Sequence, residues 1–114
     1  MWNYLQVFIP FFEIVVVVNL SDKELLARSL LCFPLDTDEI EDAKKLVEEL
    51  SPYVGLFKIG LELFTAEGPD AIRMVKGNGG DVFLDLKYHD IPNTVKGAAR
   101  AAVRHGVRLL NVHT

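Results

Sequence analysis

Apolar residues in this 114-residue chain follow two rhythms. Short unbroken runs at Leu30–Asp36, Val54–Gly60, Val82–Leu84 and Val107–Val112 read as buried strands. Between them, apolar positions recur every three or four residues. Ile40, Ala43, Leu46, Val47 and Leu50 form one stripe, with Glu41, Lys44, Lys45, Glu48 and Glu49 facing out. That is an amphipathic helix, started by Thr37 and Asp38 and closed by Ser51-Pro52. Gly68-Pro69-Asp70 opens a second helix to about Lys76, with Ile72 and Val75 inward. Gly77-Asn78-Gly79-Gly80 ends it, where glycine accepts a positive φ. Pro92 suits the first turn of a third helix, Pro92 to His105, whose small apolar face is Val95, Ala98, Ala99, Ala102 and Val103. His105 suits the negative end of that helix, and Gly106 caps it. Ahead of all these, Ser21-Asp22 caps a short lead-in helix, Lys23 to Ser29, with Leu25, Leu26 and Leu30 on one side.

Four strands alternating with three helices through short loops predict βαβ units and a parallel sheet. Asp36, Lys58, Asp85 and Lys87 all fall at the carboxyl ends of those strands. In a (β/α)₈ barrel these ends form the active-site face. A complete barrel needs roughly 250 residues, so four strands amount to about half. The expected fold class is α/β, a TIM barrel represented by its first four strands, with open sheet edges that invite association.

Residues 1–20 break the pattern. Tyr4 to Leu20 is strongly apolar and ends in Ile14-Val15-Val16-Val17-Val18. A membrane span needs about 20 apolar residues, and this run is shorter and interrupted by Pro10 and Glu13. No Lys or Arg precedes Lys23, which argues against a signal peptide. Consecutive β-branched residues favour a strand. Residues 1–20 therefore read as an apolar extension of the domain at 21–114, not as a membrane segment.

Composition narrows the field a little further. Half the residues are hydrophobic, a quarter are charged and the net charge is −4. There is no basic patch to serve a nucleic acid. The one cysteine, Cys32, excludes an internal disulfide framework, and in its apolar run it reads as an inert buried thiol. Three scattered histidines and one cysteine give no zinc-ligand spacing.

Chemistry concentrates in Asp85-Leu86-Lys87-Tyr88-His89-Asp90-Ile91-Pro92-Asn93-Thr94. Side chains alternate along a strand, so Phe83, Asp85 and Lys87 share a face. A carboxylate and an ammonium at a buried strand end are costly unless they pair or react. Asp90 adds a second carboxylate three residues on. Lys58, alone in an apolar strand, also calls for a carboxylate partner. Asp36, on these grounds alone, is equally a helix cap. His89 and His113 read as local hydrogen-bonding groups.

The stretch D-L-K-Y-H-D-I-P-N-T resembles the signature of orotidine 5′-phosphate decarboxylase, and F-K-I-G-L-E-L-F, residues 57–64, is similar to that family in position and wording. The resemblance runs from about Leu31 to His113. It implies decarboxylation of orotidine 5′-phosphate to UMP, in pyrimidine biosynthesis, by a cytoplasmic homodimer with shared active sites. It implies Lys87 as proton donor flanked by Asp85 and Asp90, with Asp36 and Lys58 toward the ribose. The counterparts of Ile91 and Thr94 serve substrate binding, and those of Asp90 and Thr94 reach into the neighbouring subunit's site. No metal or organic cofactor is implied. The family's phosphate and pyrimidine contacts lie in the half of the barrel that has no counterpart here, so the chain is expected to be an incomplete, inactive fragment. A bare D-x-K-x-x-D also occurs in related sugar-phosphate decarboxylases and synthases, which can use Mg²⁺, and that reading stays open.

Overall fold

The computed structural model describes residues 5–9, 12–16 and 21–113. β1 (Leu5–Ile9) and β2 (Phe12–Val16) pair antiparallel, from Leu5 opposite Val16 to Ile9 opposite Phe12. The strand preference of the apolar N-terminal run is met over those positions, and expectations for residues 1–4, 10–11 and 17–20 lie outside the described residues. No helix among the described residues is long and apolar enough to cross a membrane.

From Ser21 onward the chain alternates helix and strand. α1 (Asp22–Leu30) begins at a reciprocal cap: Ser21 Oγ accepts the Glu24 N–H, and the Ser21 N–H donates to Glu24 Oε2 at 2.8 Å. β3 (Cys32–Pro34), α2 (Ile40–Leu50), β4 (Leu56–Ile59), α3 (Leu61–Glu67), α4 (Pro69–Gly77), β5 (Asp81–Tyr88), α5 (Pro92–Arg104) and β6 (Leu109–Val112) follow. The four strands after α1 form one parallel sheet in the order β3-β4-β5-β6. Neighbours in sequence are neighbours in the sheet, as expected from the alternating pattern.

The helix-facing side of the sheet is the core. Phe57 and Ile59 of β4 and Val82 and Leu84 of β5 pack with Val47 of α2, Leu63 of α3, and Ile72 and Val75 of α4. All eight are at most 1% exposed. Each such side chain contributes about 1.5–3 kcal/mol relative to remaining in water. The opposite face of the sheet carries Cys32, Lys58, Phe83 and Asp85, and is more open.

Four local expectations are corrected. α3 has no counterpart in the sequence pattern; it is two turns long, its N-cap Gly60 offers no side-chain hydrogen bond, and the sequence therefore lacks a start signal. The helix expected from Thr37 begins at Ile40, although Thr37 Oγ1 still accepts the Glu39 N–H at 3.2 Å. Cys32 is exposed, because its strand faces the open side of the sheet. The apolar sides of α1 and α5 are only partly covered: Leu26, Leu30 and Val103 are 61%, 75% and 63% exposed, while Ala102 is buried. A four-strand sheet has no further layer to set against them.

Candidate active site

β4 and β5 bring three of the four strand-end charges together. Phe57 and Ile59 point into the core, so Lys58 must point to the open face. In β5, Val82 and Leu84 point inward, which puts Asp85 on the face of Lys58. Asp36 lies two residues beyond β3. The result is a row of alternating charges. Lys58 Nζ is 3.4 Å from Asp36 Oδ1 and 3.7 Å from Asp85 Oδ2, and Lys87 Nζ is 2.7 Å from Asp85 Oδ1. Asp85 is the best-covered member, with its side chain 13% exposed, whereas Lys87 is 56% exposed. Lys58 thus finds the carboxylate partners its strand position called for.

The hydrogen bond from Lys87 holds the Asp85 carboxyl below the usual carboxylate range, and a second from Asn111 adds to it. Burial pushes the Tyr88 phenol up.

The strand is longer than the apolar run Val82–Leu84. β5 continues through Asp85, Leu86, Lys87 and Tyr88, with a register irregularity against β6 between Leu84 and Tyr88. Inside it Lys87 adopts φ +49°, the one positive φ among the described non-glycine residues. Such backbone costs an L-residue about 1–2 kcal/mol, so neighbouring contacts must hold it.

Asn111 of β6 is one of those contacts. Its Oδ1 accepts the Lys87 backbone N–H at 2.8 Å and its Nδ2 donates to Asp85 Oδ1 at 2.6 Å. Sequence reasoning missed Asn111; the only signal was an amide in the otherwise apolar run 109–112.

The other predicted residues stand apart from the row. Asp90 Oδ1 accepts the Ile91 N–H at 2.6 Å, and the Thr94 N–H donates to the Ile91 carbonyl at 3.0 Å in the first turn of α5. Asp90, Ile91 and Thr94 are all exposed, Ile91 at 67%. His89 and His113 meet edge to face, with Nδ1 atoms 3.1 Å apart, so they do bond locally. Among the described residues no group of three or more His, Cys, Asp or Glu is placed to hold a metal ion.

Consecutive parallel strands backed by helices, with paired charges along the carboxyl edge, define the class: part of a (β/α)-barrel domain, with the candidate charges on the face such barrels use. The chain belongs to the Orotidine 5′-phosphate decarboxylase / HUMPS family, which matches residues 29–114. It is 61% identical over 87 residues to the orotidine 5′-phosphate decarboxylase of Moorella thermoacetica, a match covering 76% of this chain and 34% of that protein. The crystal structure of orotidine 5′-phosphate decarboxylase from Pyrococcus horikoshii superposes with a TM-score of 0.68 at 32% identity, over 74% of this chain and 41% of that one. That of orotidine 5′-monophosphate decarboxylase from Methanocaldococcus jannaschii, complexed with inhibitor BMP, gives 0.62 at 29% identity, over 68% and 37%. The chain spans about a third of the length of the curated relatives it matches.

Proposed function

We propose that this segment supplies the acid–base part of an orotidine 5′-phosphate decarboxylase that forms UMP for pyrimidine biosynthesis. The observation that carries the reading is the alternating Asp36–Lys58–Asp85–Lys87 row on the carboxyl edge of the sheet. The bond between the pyrimidine ring and its carboxylate breaks. Carbon dioxide leaves, and the electron pair remains on the ring carbon. The Lys87 ammonium stabilises that pair electrostatically and then gives it a proton; solvent reprotonates the amine. Asp85 aims Lys87 through their 2.7 Å ion pair, and its own charge opposes the substrate carboxylate in the ground state. Lys58 and Asp36 hold the ribose. This chemistry calls for no metal or organic cofactor.

On the same reading the enzyme is a cytoplasmic homodimer. Asp90 and Thr94, exposed beyond the strand end, serve the site of the second copy, and Ile91 serves substrate binding. The phosphate and base contacts come from sequence outside these 114 residues, and residues 1–20, which precede the family match, are an extension that the domain does not need.

The test is orotidylate turnover, followed by loss of substrate absorbance, in a full-length protein carrying this segment. Lys87→Ala is expected to lower kcat by at least roughly 10²–10⁴-fold, the contribution of a positioned proton donor. The 114-residue chain alone is expected to show no turnover, since binding energy from the rest of the substrate supports the chemical step. An active Lys87→Ala enzyme, or a strict Mg²⁺ requirement, would overturn the reading. Mixing inactive Lys87→Ala and Asp90→Ala homodimers should restore roughly a quarter of wild-type activity, because half the dimers are mixed and each has one intact site. No recovery after confirmed subunit exchange would place both residues in one chain's site.

A further inference from the structure

The side-chain amide of Asn111 touches two points of β5, the Lys87 backbone N–H and the Asp85 carboxylate. It sits in the register slip between β5 and β6. Pairing there is regular at Phe83 with Leu109 and Leu84 with Leu110, and it resumes only at Tyr88 with Val112. Within the slip, the Lys87 N–H is taken by Asn111 Oδ1 at 2.8 Å. Lys87 has φ +49° at this point.

The other end of the amide holds Asp85. Nδ2 of Asn111 and Nζ of Lys87 both donate to Asp85 Oδ1, at 2.6 and 2.7 Å. Oδ2 is thereby left toward Lys58 Nζ at 3.7 Å. One orientation of the amide satisfies this arrangement. A flipped amide would set NH₂ against the Lys87 N–H and a carbonyl oxygen against a carboxylate. The amide therefore couples the backbone of Lys87 to the rotamer of Asp85, across 24 and 26 residues of sequence.

We infer that Asn111 is a positioning residue for the decarboxylation: its amide sets the backbone that aims Lys87 and the carboxylate orientation that lets Asp85 face both lysines. The inference rests on the proposed function, and it assigns Asn111 no contact with substrate.

Two variants of the full-length protein test it. Asn111→Leu removes both hydrogen bonds. Asn111→Asp keeps the acceptor for the Lys87 N–H and replaces the donor to Asp85 with a carboxylate oxygen. Asn111→Leu is expected to lower kcat roughly 10²-fold, the scale of a small misplacement of catalytic groups, with KM for orotidylate moving far less. In Asn111→Asp two carboxylates share one proton, so the acid limb of the kcat–pH profile moves to higher pH. The titration of the Asp85 carboxyl carbon, read by ¹³C NMR, moves the same way. A residue with a merely structural role would lower the melting temperature and leave both pH readouts in place. If Asn111→Leu does not fold, Asn111→Asp, of nearly the same shape, carries the test. Unchanged kcat and an unmoved Asp85 titration in Asn111→Asp would overturn the inference. A wild-type protein that does not decarboxylate orotidylate would overturn the proposed function instead, and the Asp85 titration would still decide whether Asn111 holds that carboxylate.

Discussion

Adding one methyl group at Gly80 should destabilise the domain, and adding one at Gly77 should stabilise it. Gly80 is the residue before β5, where the chain leaves α4 and enters the sheet. A β-carbon there would lie 2.7 Å from Phe57 Cδ2, 2.9 Å from Phe57 Cε2 and 2.9 Å from Val75 Cγ1. Carbon atoms rest about 3.5–4.0 Å apart, so each contact is roughly 1 Å too short. Phe57 and Val75 are 0% exposed and have no open space into which to withdraw. Overpacking of this kind costs about 1–3 kcal/mol. The reduced freedom of alanine in the unfolded chain returns about 0.4–1 kcal/mol. Gly80→Ala should therefore lose about 1–2 kcal/mol net, a fall of several degrees in Tm for a domain of this size. Gly77 has no atom within 4 Å of a built β-carbon and lies at the end of α4. Gly77→Ala should gain up to about 1 kcal/mol from helix propensity. Urea unfolding followed by far-UV circular dichroism measures both. A Gly80→Ala protein as stable as wild type, or the opposite order of the two variants, would refute the packing argument. Phe57 also adjoins Lys58, so a displaced ring should loosen the 3.7 Å approach of Lys58 to Asp85.

Two further outcomes follow from the charges and from the N-terminal run. Hydrogen bonds from Lys87 and Asn111 to Asp85, and from Lys76 to Asp81, lower both carboxyls below their usual 3.8. A carboxyl with a lowered folded-state pKa stabilises above its unfolded value, and that stability is lost as pH falls through the folded value. The urea midpoint should thus hold from neutral pH to about 4 and drop below it, and a midpoint constant to about pH 2 would contradict the pairing. A chain starting at Ser21 should keep the helical dichroism of the longer one, since α1 is capped by Ser21 and Glu24 alone; loss of that signal would tie residues 1–20 to the domain.

The two periods of the hydrophobic pattern are local properties, and what they encode was legible. The parallel β3-β4-β5-β6 sheet follows from alternating runs and stripes. The inward face of α2 follows from Ile40, Ala43, Leu46, Val47 and Leu50, and the lead-in helix from Ser21. The strand period also put Asp85 on the face of Lys87, and an isolated lysine at position 58 announced carboxylate partners without naming them. Local pattern carries no information about which side of a sheet lacks a covering layer, so the exposure of Cys32, Leu30 and Val103 emerged only in three dimensions. α3 escaped because two turns capped by a glycine leave no start signal. The slip between β5 and β6, the positive φ at Lys87 and the bracing amide of Asn111 depend on contacts between residues 24 to 26 apart in sequence. Pairing register is set when strands meet, not by either strand alone. The residue types needed for the charge row were therefore written in the chain, while their spacing of 2.7–3.7 Å and the residue that braces it came from the tertiary structure.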